Sequence, residues 1–253
     1  SSLLWEGCNA IFVDIDPSTL NIDCNKIEDN IDNDTEAILA THCFGNPCNI
    51  DEIEKIAKKH SLKVIYDAAH CFGTKYKGKT IYNYGDISIS SFHATKLYHM
   101  VEGGGIYSNN PELIDKLKIM RNFGHNGPEN FSLLGINAKN SELHSAIGLV
   151  NLKYADEILK VRNEQYNIYA SALRTNSLIH QKINVDTSYY NCSYFPIIFE
   201  SDSTLLRIKN ILKSNGIESR RYFFPALNSL KYISKKSSTP NADSLAGRIL
   251  CLP

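Results

Sequence analysis

Along the first two-thirds of this chain, short continuous apolar runs alternate with stretches whose apolar positions fall three and four apart. That is the pattern of buried strands joined by crossover helices. Ala10-Ile11-Phe12-Val13-Asp14-Ile15 predicts a buried strand closed by Asp16-Pro17, and Glu36 to Thr41 predicts a second. Ile50, Ile53, Ile56 and Ala57 recur at helical spacing behind Asn49, which stands as an N-cap. Leu62 to Tyr66 predicts the next strand, with Asp67 at its C-terminal end, where open α/β sheets bind their ligands. Ile87 to Phe92 and Gly105 to Tyr107 predict two more strands, separated by the segment that carries Lys96. Pro111 to Met120 predicts a helix with proline in its first turn, and Ser141 to Tyr169 one long helix. Near Asn176 the character changes: Tyr194 to Phe199 predicts a strand, Thr204 to Lys213 a helix closed by Asn215-Gly216, and Ser219 to Tyr222 another strand. The fold class is therefore α/β: a mostly parallel sheet flanked by helices over residues 1–170, then a smaller α+β domain over residues 171–253.

Composition narrows the function classes more than it changes this picture. Of 253 residues, 43% are hydrophobic and 21% charged, an ordinary globular balance. Lys plus Arg (27) equals Asp plus Glu (27), which favours neither a nucleic acid nor an acidic membrane surface as partner. No apolar run reaches the ~20 residues that span a bilayer, and the first residues lack the basic and apolar regions of a signal peptide. The seven cysteines are odd in number and scattered, with no C-x-x-C pair, so no metal site is expected and a reduced, cytoplasmic setting is.

Three segments carry candidate chemistry. In Tyr66-Asp67-Ala68-Ala69-His70 the carboxylate is by default a turn former, yet the two alanines beside it leave room for a flat aromatic group. In Ser90-Ser91-Phe92-His93-Ala94-Thr95-Lys96 the lysine follows an apolar strand among hydroxyl groups suited to phosphate. A lysine that forms a Schiff base must be partly desolvated, so that its amine is neutral near pH 7. Gly103-Gly104-Gly105 matches no phosphate-loop pattern and reads as a packing device that shapes the lysine segment. His42, His99, His125 and His144 have no partner at ligand spacing and read as surface or supporting groups.

Asp67-Ala68-Ala69-His70, Gly85-Asp86-Ile87-Ser88, Ser91-Phe92-His93-Ala94-Thr95-Lys96 and Glu102-Gly103-Gly104 closely resemble the DegT/DnrJ/EryC1/StrS aminotransferases. Further matches run in the same order, from Phe12-Val13-Asp14-Ile15-Asp16 through Phe44-Gly45-Asn46-Pro47 and Gly135-Ile136-Asn137-Ala138-Lys139 to Arg221-Tyr222-Phe223-Phe224-Pro225. The resemblance implies the fold-type I architecture and pyridoxal 5'-phosphate (PLP) as cofactor. It implies that Lys96 carries the cofactor and moves the substrate proton, that Asp67 pairs with the ring nitrogen, that His70 stands beside the ring hydroxyl, and that Ser91 binds the phosphate. Asn137 matches a residue that reaches the phosphate in a neighbouring subunit, which implies a homodimer with shared sites. His93, Arg220, Arg221 and Tyr222 fall where the family approaches its sugar nucleotide, although His93 also reads as a brace for the lysine loop.

Related sugar 3-dehydratases carry histidine at the lysine position, so Lys96 implies amino transfer, with glutamate as donor. Phe44-Gly45-Asn46-Pro47-Cys48 and Asp67-Ala68-Ala69-His70 resemble the 4-amino-4,6-dideoxyhexose group, which implies a dTDP-4-keto-6-deoxyglucose acceptor and a place in glycan or O-antigen assembly. A 3-aminotransferase is the alternative, and a catalytically dead remnant acting as an oligomeric scaffold is the competing class. The family's Gly-Thr/Ser-x-Ala phosphate turn does not precede Trp5, and no closing helix follows Leu250-Cys251-Leu252-Pro253. Both ends thus read as cut, and residues 1–253 alone are expected to hold PLP weakly.

Overall fold

A computed structural model describes residues 2–173, 179–233 and 237–253; Asn176, near which the sequence changes character, lies outside them. The strands are β1 (Ala37–Thr41), β2 (Lys63–Asp67), β3 (Lys75–Tyr76), β4 (Lys79–Thr80), β5 (Ile87–Ser91), β6 (Gly104–Tyr107), β7 (Ile179–His180), β8 (Thr187–Tyr189), β9 (Phe195–Ile198) and β10 (Ile249–Leu252). The helices are α1 (Ser2–Trp5), α2 (Ile50–His60), α3 (Pro111–Met120), α4 (Glu142–Leu152), α5 (Ala155–Ala172), α6 (Asp202–Ser214) and α7 (Pro240–Ala246).

The sheet that positions the site has the order β1-β2-β5-β6. β1, β2 and β5 run parallel and β6 returns antiparallel to β5, so the predicted mostly parallel sheet flanked by helices is present. Ile38, Ala40, Val64 and Tyr66 point to one face, where they pack with Ile50, Ile53, Ile56 and Ala57 of α2. α2 begins where Asn49 accepts the Glu52 amide, with Asp51 and Glu52 in its first turn and Lys58, Lys59 and His60 in its last, each charge opposing the helix dipole. The other sheet face presents Leu39, Ile65, Ile87, Ile89 and Ile106, of which Leu39 (39%) and Ile106 (51%) stay exposed. A second sheet, β10-β9-β7, packs Phe195, Ile197 and Leu250 against Leu205 of α6 and Tyr166 and Tyr169 of α5. β8 returns to pair with β3, which ties the later chain to the main sheet's flank.

Three predicted elements differ. Ala10 to Ile15 is no strand: only Ile15 bridges, to Ile22, and Asp14 is buried with its carboxylate accepting the amides of Asn241 and Ala242 and an ion pair from Lys26. The segment serves the start of α7 rather than a sheet. Burial alone would raise the Asp14 pKa, but those donors outweigh it and hold the carboxyl below its ordinary value. The long helix expected from Ser141 to Tyr169 is two, α4 and α5, because Tyr154 leaves the helical region at φ −103° and ψ 3°. Ser219 to Tyr222 is not a strand either. Only Arg220 pairs with Cys251, and the chain then turns through cis bonds at Tyr222-Phe223 and Phe224-Pro225.

Candidate active site

Because β1, β2 and β5 are parallel, their C-terminal ends meet at one pole, and the two-residue period of a strand decides which side chains share a face. Thr41, Asp67 and Ile89 stand in register, and Ser91 lies two residues beyond Ile89 on the same face, the one away from α2. Asp67 ends β2, and its Oδ1 accepts the Ala69 amide at 3.0 Å. Among the described residues no donor is bonded to its Oδ2. Ser91 ends β5, with its Oγ accepting the His93 amide at 3.4 Å and its own proton free to be donated.

Lys96 sits in the connection from β5 to β6, closed by Phe92 N–H to Gly103 O (2.8 Å), Ala94 N–H to Val101 O (2.7 Å) and Met100 N–H to Phe92 O (2.9 Å). The glycines make that closure possible. A Cβ on Gly104 would lie 2.7 Å from Ser90 O, and one on Gly105 2.7 Å from the Tyr107 hydroxyl. His93 folds back on its own loop: Nδ1 is 2.8 Å from Thr95 Oγ1 and accepts the Thr95 amide, while Nε2 lies 3.6 Å from Glu102. It braces the lysine segment. Lys96 is half-buried, and among the described residues no carboxylate reaches salt-bridge distance of its amine. Desolvation lowers its pKa first; the Asp67 charge opposes this and Arg220 adds to it, leaving the amine more easily neutral than a solvated lysine.

His70 is enclosed. Its Nδ1 accepts the Phe44 amide at 3.1 Å, and its ring lies 5.5 Å from Phe223 at 4° and 4.6 Å from Tyr194. Burial, with Lys96 nearby, pushes its pKa down to about 3, so the ring is neutral. Tyr222 joins the cluster 6.0 Å from His70 and 3.9 Å from Phe223. Phe44, Tyr194 and Phe223 carry no chemistry of their own, and their role was visible in sequence only as motif neighbours. Tyr194 packs against the core cluster that holds Phe44 and also forms a wall beside His70.

The two arginines separate. Arg221 is committed to Asp202, to Gly247 O at 3.0 Å and to the face of Phe224 at 3.8 Å, so it is a structural cation. Arg220 is exposed, forms no ion pair among the described residues, and its charge acts on Lys96, Tyr194 and Tyr222. Asn137 stands apart from this group, exposed and bridged to Asn122. His42 is not a surface group: it is fully buried, accepts the Cys48 amide at 3.0 Å and stacks 4.7 Å from Tyr66. Among the described residues no His, Cys, Asp and Glu cluster could hold a metal ion, and no helix is long and apolar enough to cross a membrane.

The profile of the DegT/DnrJ/EryC1/StrS aminotransferase family matches residues 1–253. A dTDP-4-amino-4,6-dideoxy-D-glucose transaminase of Shigella dysenteriae is 40% identical over 257 residues, covering 100% of this chain and 70% of the relative. Among solved structures, DesI in the presence of its TDP-sugar product superposes with a TM-score of 0.91 at 29% identity, covering 100% of this chain and 66% of that one. The Escherichia coli GDP-4-keto-6-deoxy-D-mannose-3-dehydratase with bound hydrated PLP superposes with a TM-score of 0.86 at 26% identity, covering 99% of this chain and 71% of its own. The chain thus spans about two-thirds of the length of proteins it resembles throughout.

Proposed function

The chain belongs to the DegT/DnrJ/EryC1/StrS aminotransferase family, and on that premise we propose that it moves an amino group from glutamate to a nucleotide-linked 4-keto-6-deoxy sugar, dTDP-4-keto-6-deoxyglucose first, with PLP as cofactor. The observation that carries this is the convergence of three groups at one pole. They are a half-buried lysine amine with lowered pKa, a carboxylate with a free oxygen, and a serine hydroxyl ending the next strand.

These donors fit PLP by their chemistry. Among the described residues Asp67 Oδ2 has no bonded donor and is suited to a protonated ring nitrogen, the Ser91 hydroxyl can donate to a phosphate oxygen, and the Lys96 amine forms no ion pair. Bound there, the cofactor supplies the electron sink that lets an amino group be taken from one substrate and given to the next. The residues supply the rest. Lys96 Nζ would be the nucleophile that holds the cofactor and the group that carries a proton to and from the reacting carbon. Asp67 keeps the ring nitrogen protonated by charge. The Phe44, Tyr194 and Phe223 rings exclude water from the His70 side, and Arg220 offers a cation to an anionic substrate.

The relative from Shigella supports the 4-amino reading, and Lys96 where dehydratases carry histidine supports transfer over dehydration. The exposure of Leu134, Leu143 and Leu149, the last two on α4, supports a homodimer in which α4 is covered by a second copy. A cytoplasmic place in amino-sugar assembly, including O-antigen, fits a nucleotide-sugar substrate. The test is direct: incubate the full-length gene product with PLP, glutamate and dTDP-, UDP- and GDP-linked keto-sugars, and identify products by mass spectrometry and NMR. PLP-dependent formation of a 4-amino sugar is expected; amination at C3 would move the protein to the alternative class, and no turnover with any donor–acceptor pair would defeat the enzyme reading.

A further inference from the structure

The ring of His70 has one nitrogen in a hydrogen bond, and among the described residues the other is bonded to none. Nδ1 faces the backbone amide of Phe44 at 3.1 Å, and an N–H can only donate, so this nitrogen must be unprotonated. Phe44 can aim its amide there because it occupies the left-handed region (φ 59°, ψ 20°) inside the turn Cys43–Gly45, a costly conformation for a residue with a side chain. The turn is pinned on several sides. Cys43 N–H donates to Asn21 Oδ1 at 2.8 Å, the Tyr190 hydroxyl donates to Phe44 O at 3.0 Å, and Gln181 donates to Cys43 O at 3.0 Å. The other end of the pair is pinned too, since His70 O receives Asn191 Nδ2 at 2.7 Å and Ser193 Oγ at 3.2 Å. The backbone of both partners is thus held in place.

We propose that the Phe44 backbone amide fixes His70 as the neutral Nε2–H tautomer, making Nε2 a permanent hydrogen-bond donor to the ring-hydroxyl oxygen of the pyridoxal cofactor and never an acid or base. The cofactor half of this rests on the function proposed above; the tautomer half rests on the chain alone. Charging the ring would place a second proton on Nδ1 against the Phe44 amide. It would also bury a cation beside Lys96, among the rings of Phe44, Phe223, Tyr194 and Tyr222 and, among the described residues, with no carboxylate at salt-bridge distance. A ring that cannot take that proton donates from Nε2 at every working pH. Such a donor stabilises the cofactor's ring oxygen as an anion, and so lowers the pH at which the lysine-linked cofactor loses its proton. Phe44 is thus a positioning residue acting through His70.

The tautomer is read by long-range proton–nitrogen NMR of the histidine-labelled protein without cofactor, with the His70 signal assigned by its loss in His70→Gln. The expected signal is that of an Nε2–H ring, unchanged from pH 8 to pH 5; an Nδ1–H ring, or a titration midpoint above pH 5, would overturn the proposal. The cofactor arm follows the visible band of the PLP-loaded full-length gene product against pH. His70→Leu should raise its midpoint by about one pH unit, and His70→Gln, which keeps a donor, should raise it less. An unmoved midpoint in His70→Leu overturns the proposal while the function stands. Failure to form any band removes both the functional reading and the acceptor named here, and the NMR result tells that failure apart.

Discussion

Lys96 and its surroundings show how burial turns an ordinary side chain into a reactive one. A lysine in a loop is normally solvated; this one is half-buried, with no ion pair among the described residues, and its pKa is lowered mainly by desolvation. Lys96→Ala should therefore cut amino transfer by about a thousandfold or more, because nucleophile and proton carrier are lost together. Its unfolding midpoint should stay near that of the parent, because the side chain is not part of a core cluster. Retained turnover would mean that another residue holds the cofactor. The two enclosed histidines make a separate prediction. His42 and His70 both have pKa values pushed down to about 3 by burial, against an ordinary value near 6.5. Their contribution to stability is complete above about pH 6.5 and declines as the pH falls towards 3, by about 1.4 kcal/mol per group per pH unit. Urea midpoints between pH 6.5 and 4 should show this slope, and His42→Asn, which keeps an acceptor for the Cys48 amide, should remove about half of it. Asp67, Ser91 and Lys96 could be named from residue type and spacing. That His93 braces its own loop, and that Arg221 is spent on Asp202, could not, since both depend on where a side chain turns.

Local signals serve best at the scale of elements when their partners are also local. α2 begins at Asn49 and α3 at Pro111 as their sequences predict, because a cap needs only the amides two or three residues on. Asn49→Ala should thus cost about 1 kcal/mol in chemical denaturation, with the loss confined to stability and the substrate KM unchanged. A cost near zero would show that the 3.4 Å contact to Glu52 contributes nothing. The misread elements share one cause, which is distance along the chain. Ala10 to Ile15 has the apolar run of a strand, but Asp14 is held by Asn241 and Ala242. The break between α4 and α5 follows no glycine or proline, so apolar spacing passes straight through Tyr154.

The molecule as a whole leaves two apolar surfaces open. The sheet face with Leu39 and Ile106 is partly exposed, although parallel sheets are ordinarily covered on both faces. α4 is apolar nearly all round, which suits a helix buried on all sides, yet Leu143 is 78% and Leu149 67% exposed. If a second copy covers α4, the protein should sediment as a dimer, and Leu143→Asp with Leu149→Asp should shift it to monomer while helix content persists. A monomer at micromolar concentration without these changes would refute the dimer. The α/β alternation with a mostly parallel sheet, the family resemblance and the choice of Asp67, Ser91 and Lys96 as candidates were legible in the sequence alone, because periodicity, caps and short motifs are written within a few residues. Only the tertiary structure decided which nitrogen of His70 holds its proton, which arginine remains free and which apolar run is not a strand. Each of these depends on a partner brought close by folding: Phe44 for His70, Asp202 for Arg221, and Ala242 for Asp14.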